Sequence, residues 1–223
     1  YDWMYDRFPV KNFDAENGFF LAQGNGYHSG LENIRKDLFR IGQRIFFYNI
    51  LEEVNTPASY FVDTKVNKVY FMPPEGSDIN EIILSSFKGN TFEVVDSKGI
   101  RFENLSFEAN RGRAIKALNC EDIVMNLCLI RNMKHNAADF RDCLRARITG
   151  NAVYDVDSCG IAYSGGDRNK LISADTVISG NHIYRTGRFS LCNSGGLNID
   201  GRGITVRNNL IHDLPHSAIF YSG

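Results

Sequence analysis

Several things are missing from this chain, and each absence closes off a class of function. No apolar run approaches the roughly 20 residues a helix needs to cross a bilayer, which excludes insertion into a membrane by a spanning helix. Charge of neither sign prevails: 25 Lys and Arg stand against 26 Asp and Glu, for a formal net charge of −1. Bulk electrostatics therefore recruit neither nucleic acid nor an anionic membrane. The five cysteines (Cys120, Cys128, Cys143, Cys159, Cys192) are an odd number with no CxxC spacing, a poor basis for a metal or redox centre. They read as small apolar residues for a core. There is no GxGxxG–helix unit, P-loop, HExxH or serine elbow, so nucleotide, zinc-protease and esterase chemistry has no support.

What the chain does have is a repeat. A short apolar–polar–Asn or Gly–ladder residue–x–apolar pattern occurs in Phe102-Glu103-Asn104-Leu105-Ser106-Phe107 and around Asn126-Leu127-Cys128-Leu129. It returns in Thr149-Gly150-Asn151-Ala152-Val153, Ser179-Gly180-Asn181-His182-Ile183 and Arg207-Asn208-Asn209-Leu210-Ile211. The position held by Leu105, Leu127, Asn151, Asn181 and Asn209 advances by 22, 24, 30 and 28 residues. A period of this size, built of short strands, marks a stacked solenoid. A second segment recurs in each coil, a small residue before an apolar stretch: Ala114-Ile115, Gly160 to Gly165, Gly196 to Gly201 and Ala218 to Gly223, with Ala138-Asp139-Phe140 ambiguous by one residue. The expected fold is all-β, a right-handed parallel β-helix over residues 96–223. Phe107, Leu129, Val153, Ile183 and Ile211 are expected to face its axis. Asn151, Asn181 and Asn209 are expected to form a hydrogen-bonded ladder at a bend, because Asn tolerates left-handed backbone and bonds neighbouring peptide groups.

Residues 1–95 lack the repeat and read as a β-rich N-terminal cap or side module. Ser59–Asp63 and Lys68–Met72 around Thr64–Asn67 predict a hairpin, ended by Pro73-Pro74. Gly18–Leu21 and Ile82–Leu84 are further strand candidates, and Phe46–Glu53 fits a short helix or a strand. The chain begins without Met and stops at Gly223 within a repeat. It therefore reads as an internal piece truncated at its C-terminus, with further coils of its own parent chain as neighbours.

The coils from Asn151 to Asn209 are longer, and their extra residues, Gly166–Lys170 and Thr186–Ser190, must leave the solenoid as loops. Insertions of this kind gather on one face and build binding surface. Asp167 follows a Gly-Gly turn at the mouth of one insertion, and Asp200 ends the corresponding strand of the next coil beside Gly201. If those strands align, the two acids come from successive coils along one edge. His212, Asp213 and His216 cluster in the last coil; His212 matches Tyr154 and Tyr184, Asp213 matches Asp155 and Arg185, and His216 follows Pro215 at a loop apex. Asp139, Arg141 and Asp142 form a further charged cluster beside His135, its orientation open.

These residues also resemble a known group. Ile211-His212-Asp213-Leu214-Pro215-His216-Ser217-Ala218-Ile219 resembles the N-x-I-H-D-x-P-H-x-A-I coil of secreted bacterial right-handed β-helix proteins, among them glycoside hydrolase family 141 and its relatives. Tyr163–Arg168, Gly180–Tyr184 with Gly187–Ser190, and Ile50–Glu53 through Thr56-Pro57 to Tyr70–Pro74 are similar to the same group. The resemblance implies a carbohydrate-active enzyme, secreted or at the periplasm or cell surface, with fucosidase- or xylanase-like activity on plant or microbial polysaccharide. Relatives typically continue into an acidic E-T-G-D-A-G-A coil and a G-R-D-W segment, and this sequence ends before both.

Glycoside hydrolysis takes two carboxyl groups flanking the scissile bond. The catalytic candidates are Asp167, Asp200, His216 and Asp213. Arg188, Phe189, Tyr163, Tyr221, His182 and His212 are the substrate-binding candidates, since aromatic faces pack on sugar C–H surfaces and Arg forks to oxygen. No cofactor or metal is expected. The expected partner is a polysaccharide or oligosaccharide, not nucleic acid or membrane. Two other readings stay open: a polysaccharide lyase acting on uronates, and a non-catalytic glycan-binding solenoid.

Overall fold

A computed structural model describes residues 8–22 and 45–222. Its contacts divide it between Ile83 and Leu84 into two units, each considered separately. In the first, β1 (Val10–Asp14) and β2 (Phe19–Ala22) pair antiparallel. The Asp14 carboxylate accepts from the Glu16 and Asn17 backbone N–H groups to hold the turn. β3 (Tyr60–Asp63) and β4 (Lys68–Phe71) form the expected hairpin, its turn fixed by Asp63 accepting from Lys65 N–H and by left-handed Asn67. Of Phe46–Glu53 only Leu51–Glu53 is regular, a single 3₁₀ turn. Ile82–Leu84, expected as a strand, is irregular backbone after the 3₁₀ turn Ile79–Glu81.

The second unit is a parallel β-helix of three sheets. Its first coil is β5 (Phe92–Val95), β6 (Arg101–Glu103) and β7 (Ser106–Asn110). The second is β8 (Ile115–Leu118), β9 (Val124–Asn126) and β10 (Leu129–Met133). The third is β11 (Ala138–Arg141), β12 (Arg147–Thr149) and β13 (Ala152–Val156). The fourth is β14 (Ile161–Gly165), β15 (Thr176–Ser179) and β16 (His182–Tyr184). The fifth is β17 (Leu197–Gly201), β18 (Ile204–Arg207) and β19 (Leu210–His212), and β20 (Ile219–Ser222) opens a sixth. Sheet A stacks β5-β8-β11-β14-β17-β20, sheet B β6-β9-β12-β15-β18, and sheet C β7-β10-β13-β16-β19. Strand β5 lies ahead of the residue 95/96 boundary expected for the helix and pairs in register with β8.

Each coil turns from sheet B to sheet C through two residues, and that corner explains the Asn and Gly of the repeat. Asn104, Leu127, Gly150, Gly180 and Asn208 all take positive φ there, a conformation that Gly and Asn adopt at least cost. At the next position Asn151, Asn181 and Asn209 stack as expected. Asn181 Oδ1 accepts from Asn151 N–H at 3.0 Å and Asn151 Nδ2 at 2.8 Å, and Asn209 Oδ1 does the same for Asn181 at 3.0 and 2.9 Å. Asn151 Oδ1 receives the Cys128 N–H at 2.9 Å, so the ladder continues onto Cys128.

That contact corrects the expected register in the second coil. The residues stacked with Asn151 and Val153 are Cys128 and Ile130, not Leu127 and Leu129. A one-residue slip moves every side chain to the opposite face. Ile130 is accordingly fully buried, while Leu127 is 57% exposed. The axial core runs through Phe107, Ile130, Val153 and Ile183 on sheet C, and Ile115, Ala138, Ile161 and Leu197 on sheet A. All five cysteines are buried, and none of them is in a disulfide.

Candidate functional site

Four of the five turns from sheet A to sheet B are short, and the fourth coil breaks the pattern with a loop over residues 166–175. The turns from sheet C to sheet A behave likewise, and again the fourth coil carries the longest, residues 185–196. Both insertions thus leave the same coil, one at each edge of sheet A, and sheet A's outer face is the surface they frame.

Parallel pairing fixes what lies on that face. One outward row reads Glu93, Lys116, Asp139, Ala162, Asn198, Phe220, and the next Val95, Leu118, Arg141, Ser164, Asp200, Ser222. Inside the fourth coil, between the two loops, the face carries only the short side chains of Ala162 and Ser164. Charged and amide groups stand on either side of this floor: Asp139 and Arg141 in the coil before, Asn198 and Asp200 in the coil after. Phe220 follows, with the His216 ring stacked on it at 5.2 Å and 15°.

Asp139 is the unusual residue of the set. It points outward but is only 2% exposed. Arg141 donates to both of its oxygens at 3.1 and 3.4 Å, and Arg113 Nε lies 3.3 Å away. The Arg113 contact is an ion pair without hydrogen-bond geometry, since that Nε makes no hydrogen bond. Lys116, one coil earlier in the same row, pairs with Glu93 at 2.5 Å. A buried carboxylate needs such partners, because an uncompensated charge out of water is costly.

The structure disperses the catalytic candidates. Asp200 lies on the sheet A face with its side chain 62% exposed, 3.6 Å from Arg168. Asp167 lies beyond the strand, in the loop. Its carboxylate accepts from the Lys170 N–H at 3.0 Å, and this bond, with the Lys170 ammonium 3.4 Å away, holds its pKa below the usual value. That is the geometry of a turn-forming Asp. Arg168 instead bridges forward to Gly201 O, Ser222 O and the Tyr221 hydroxyl, and covers the Tyr221 ring at 5.4 Å.

Asp213, His212 and His182 lie elsewhere, on and beside sheet C. His212 does stack with Tyr154 and Tyr184 as matched, and Asp213 shares left-handed backbone with Asp155 and Arg185. On the far loop Arg188 reaches Asp155 at 3.6 Å, and Phe189 N–H and Ser190 N–H both donate to Asp157 O, folding the loop back on the third coil. Tyr163 is a correction: expected to bind substrate, it points into the core at 2% exposure. Its hydroxyl donates to Cys143 O at 2.5 Å and contacts Thr176 Oγ1 at 2.6 Å. Strand alternation puts Tyr163 on the same side as buried Ile161, and burial raises its pKa far above the usual tyrosine value.

No curated protein and no solved structure matches the chain significantly. One family model does, described as a right handed beta helix region, over residues 60–177. Those residues are just over half of the chain and run through the first three coils into the fourth, so the stacked parallel sheets and the match agree: this chain belongs to the right-handed β-helix family.

Proposed function

We propose that the chain is a glycan-active enzyme, a glycoside hydrolase, that binds a polysaccharide across the outer face of sheet A and cleaves it with carboxyl groups there. The observation that carries this reading is Asp139, an almost fully buried carboxylate on an outward-facing row, gripped by two arginines beside the Ala162/Ser164 floor. Asp200 is its counterpart. It stands two coils on and two residues along, about 12 Å between Cα atoms from ~4.8 Å between strands and ~3.3 Å per residue. An inverting pair stands ~6.5–9.5 Å apart, with room for the attacking water, so on this reading the two side chains turn toward each other from their present ion pairs with Arg113, Arg141 and Arg168. Phe220 with His216 would offer an apolar face to a sugar ring, and Arg188 with Phe189 would flank it from the loop. The reading needs no cofactor, and a polysaccharide substrate goes with a secreted, periplasmic or cell-surface location.

One observation favours a second reading. Lys116, Arg113 and Arg141 gather around Asp139, and basic side chains are what a lyase uses to neutralise a uronate carboxylate before removing its α-proton. The test is a panel of neutral and uronate-containing oligosaccharides with product analysis by mass and near-ultraviolet absorbance. Products that have gained water, lost in Asp139→Asn, support the hydrolase. Unsaturated products that absorb and gain no water establish the lyase. Saturable binding with no cleavage overturns both in favour of a binding solenoid.

A further inference from the structure

The outer face of sheet C carries a continuous stack unrelated to sheet A. Glu108 pairs with Arg131 at 2.7 Å, and Arg131 reaches the Tyr154 hydroxyl at 3.3 Å. Tyr154 stacks on Tyr184 at 4.8 Å and 13°, and Tyr184 on His212 at 5.2 Å and 1°. His182 sits beside this row, its ring 4.5 Å from Tyr184 and 5.1 Å from His212. The two imidazoles meet edge to edge, Nε2 to Nε2, at 2.8 Å. The other nitrogen of His212, Nδ1, lies 2.9 Å from Asp213 Oδ2.

We propose that His182 and His212 form a surface site for a first-row transition dication such as Zn²⁺, Ni²⁺ or Cu²⁺, which would link the fourth coil to the fifth. Three features of the geometry carry the proposal. First, a carboxylate only accepts, so Asp213 keeps the proton of neutral His212 on Nδ1 and leaves the Nε2 lone pair toward His182. A carboxylate behind a ligating imidazole is the arrangement that orients histidines at metal centres. Second, stacking on Tyr184 fixes the plane of the His212 ring, so the donor atom is held before any ion arrives. Third, two nitrogens at ~2.0–2.1 Å from one tetrahedral ion stand about 3.3 Å apart. The present separation is a few tenths of an ångström shorter, a gap closed by rotation of the exposed His182 side chain while His212 keeps its stack.

His182 Nε2 must at present donate the proton between the rings. Metal binding requires that proton to move to its Nδ1, a change of tautomer with no net release. Imidazole donors select Zn²⁺, Ni²⁺ or Cu²⁺ over Ca²⁺ and Mg²⁺, which prefer oxygen. No cluster of three or more His, Cys, Asp or Glu suited to a metal occurs among the described residues, so water completes the shell. Such an ion would exchange readily. Arg185, 4.7 Å over the Tyr184 ring, is the nearby cation, and Asp155 neutralises it at 2.8 Å.

The test is a calorimetric titration of tag-free protein with ZnCl₂ in a non-chelating buffer, alongside long-range ¹H–¹⁵N spectra of the imidazoles. One equivalent should bind, with the Nε2 resonances of two histidines shifting together. His182→Ala and His212→Ala should each abolish it. Asp213→Asn should weaken it on the order of tenfold, while His135→Ala changes nothing, and circular dichroism checks that each variant is folded. Absence of one-equivalent binding up to about 1 mM Zn²⁺, or its survival in either histidine variant, overturns the proposal.

Discussion

Replacing Asn181 by Ala should be among the most damaging single changes in the solenoid. The side chain is 1% exposed and makes four hydrogen bonds across three coils. Its Oδ1 accepts from the Asn151 backbone N–H at 3.0 Å and from Asn151 Nδ2 at 2.8 Å; its Nδ2 donates to Ile148 O at 3.0 Å and Asn209 Oδ1 at 2.9 Å. Alanine leaves these partners in the interior without water to replace it. At about 1–3 kcal/mol for each orphaned buried group, two firmly buried backbone groups alone give about 2–6 kcal/mol. That is a large share of the ~5–15 kcal/mol that holds a typical domain. Asn209 serves as an internal comparison. It makes three analogous bonds but is only partly buried, so water can replace them and Asn209→Ala should cost about 1–2 kcal/mol. Urea unfolding followed by circular dichroism, with the slope checked to be unchanged, measures both. A loss below about 1 kcal/mol for Asn181→Ala, or no difference between the two variants, would refute the claim that buried ladder bonds hold the corner together.

Three further outcomes follow from single residues. Leu127 is 57% exposed with φ of 54°, so Leu127→Gly should stabilise the fold by up to about 1 kcal/mol in the same assay, and a loss would show that its side chain matters more than its backbone. Burial pushes the Cys143 thiol up from 9.0 to about 11. The fold therefore favours its protonated form: that contribution is complete below pH 9 and is lost as pH rises toward 11, by up to about 3 kcal/mol for two pKa units. Stability should fall more steeply over that window in wild type than in Cys143→Ala, and parallel curves would contradict it. Tyr163→Phe removes a hydroxyl that serves Cys143 O and Thr176, and should cost about 1–3 kcal/mol in urea unfolding while leaving glycan cleavage unchanged.

Much of the fold is legible in the chain because the corner between sheets B and C needs left-handed backbone, and Gly150, Gly180 and Asn208 record that need in their identity. The reading slips where Leu127 occupies the same conformation without the residue type that signals it. Leu127-Cys128-Leu129-Ile130 is apolar throughout, so neither face is marked, and the register shows only in the folded chain, in the Cys128 N–H bond to Asn151 and the pairing of Ile130 with Val153. The proposed site is legible in outline, since the lengthened fourth coil directs attention to sheet A. Its key residue is not. Ala137 and Ala138 can each fill the small position, and with the register open Asp139 could face any direction. Asp167 stands in an insertion, but an Asp after Gly-Gly is also a turn former, and its bond to the Lys170 N–H is local. Tyr163 could have been assigned to the core from alternation with Ile161.

On the proposed function, chemistry sits on the outer face of sheet A and turns on Asp139. The direct measurement is turnover by Asp139→Asn and Asp167→Asn beside wild type, on whichever glycan the panel identifies, with all three proteins shown to be folded. Loss of a carboxylate that acts in proton transfer costs about 10²–10⁴-fold. Asp139→Asn is predicted to fall by that much, and Asp167→Asn to stay within a few-fold of wild type. The reverse pattern, with Asp167→Asn inactive and Asp139→Asn unimpaired, would move the site off the sheet and into the loop.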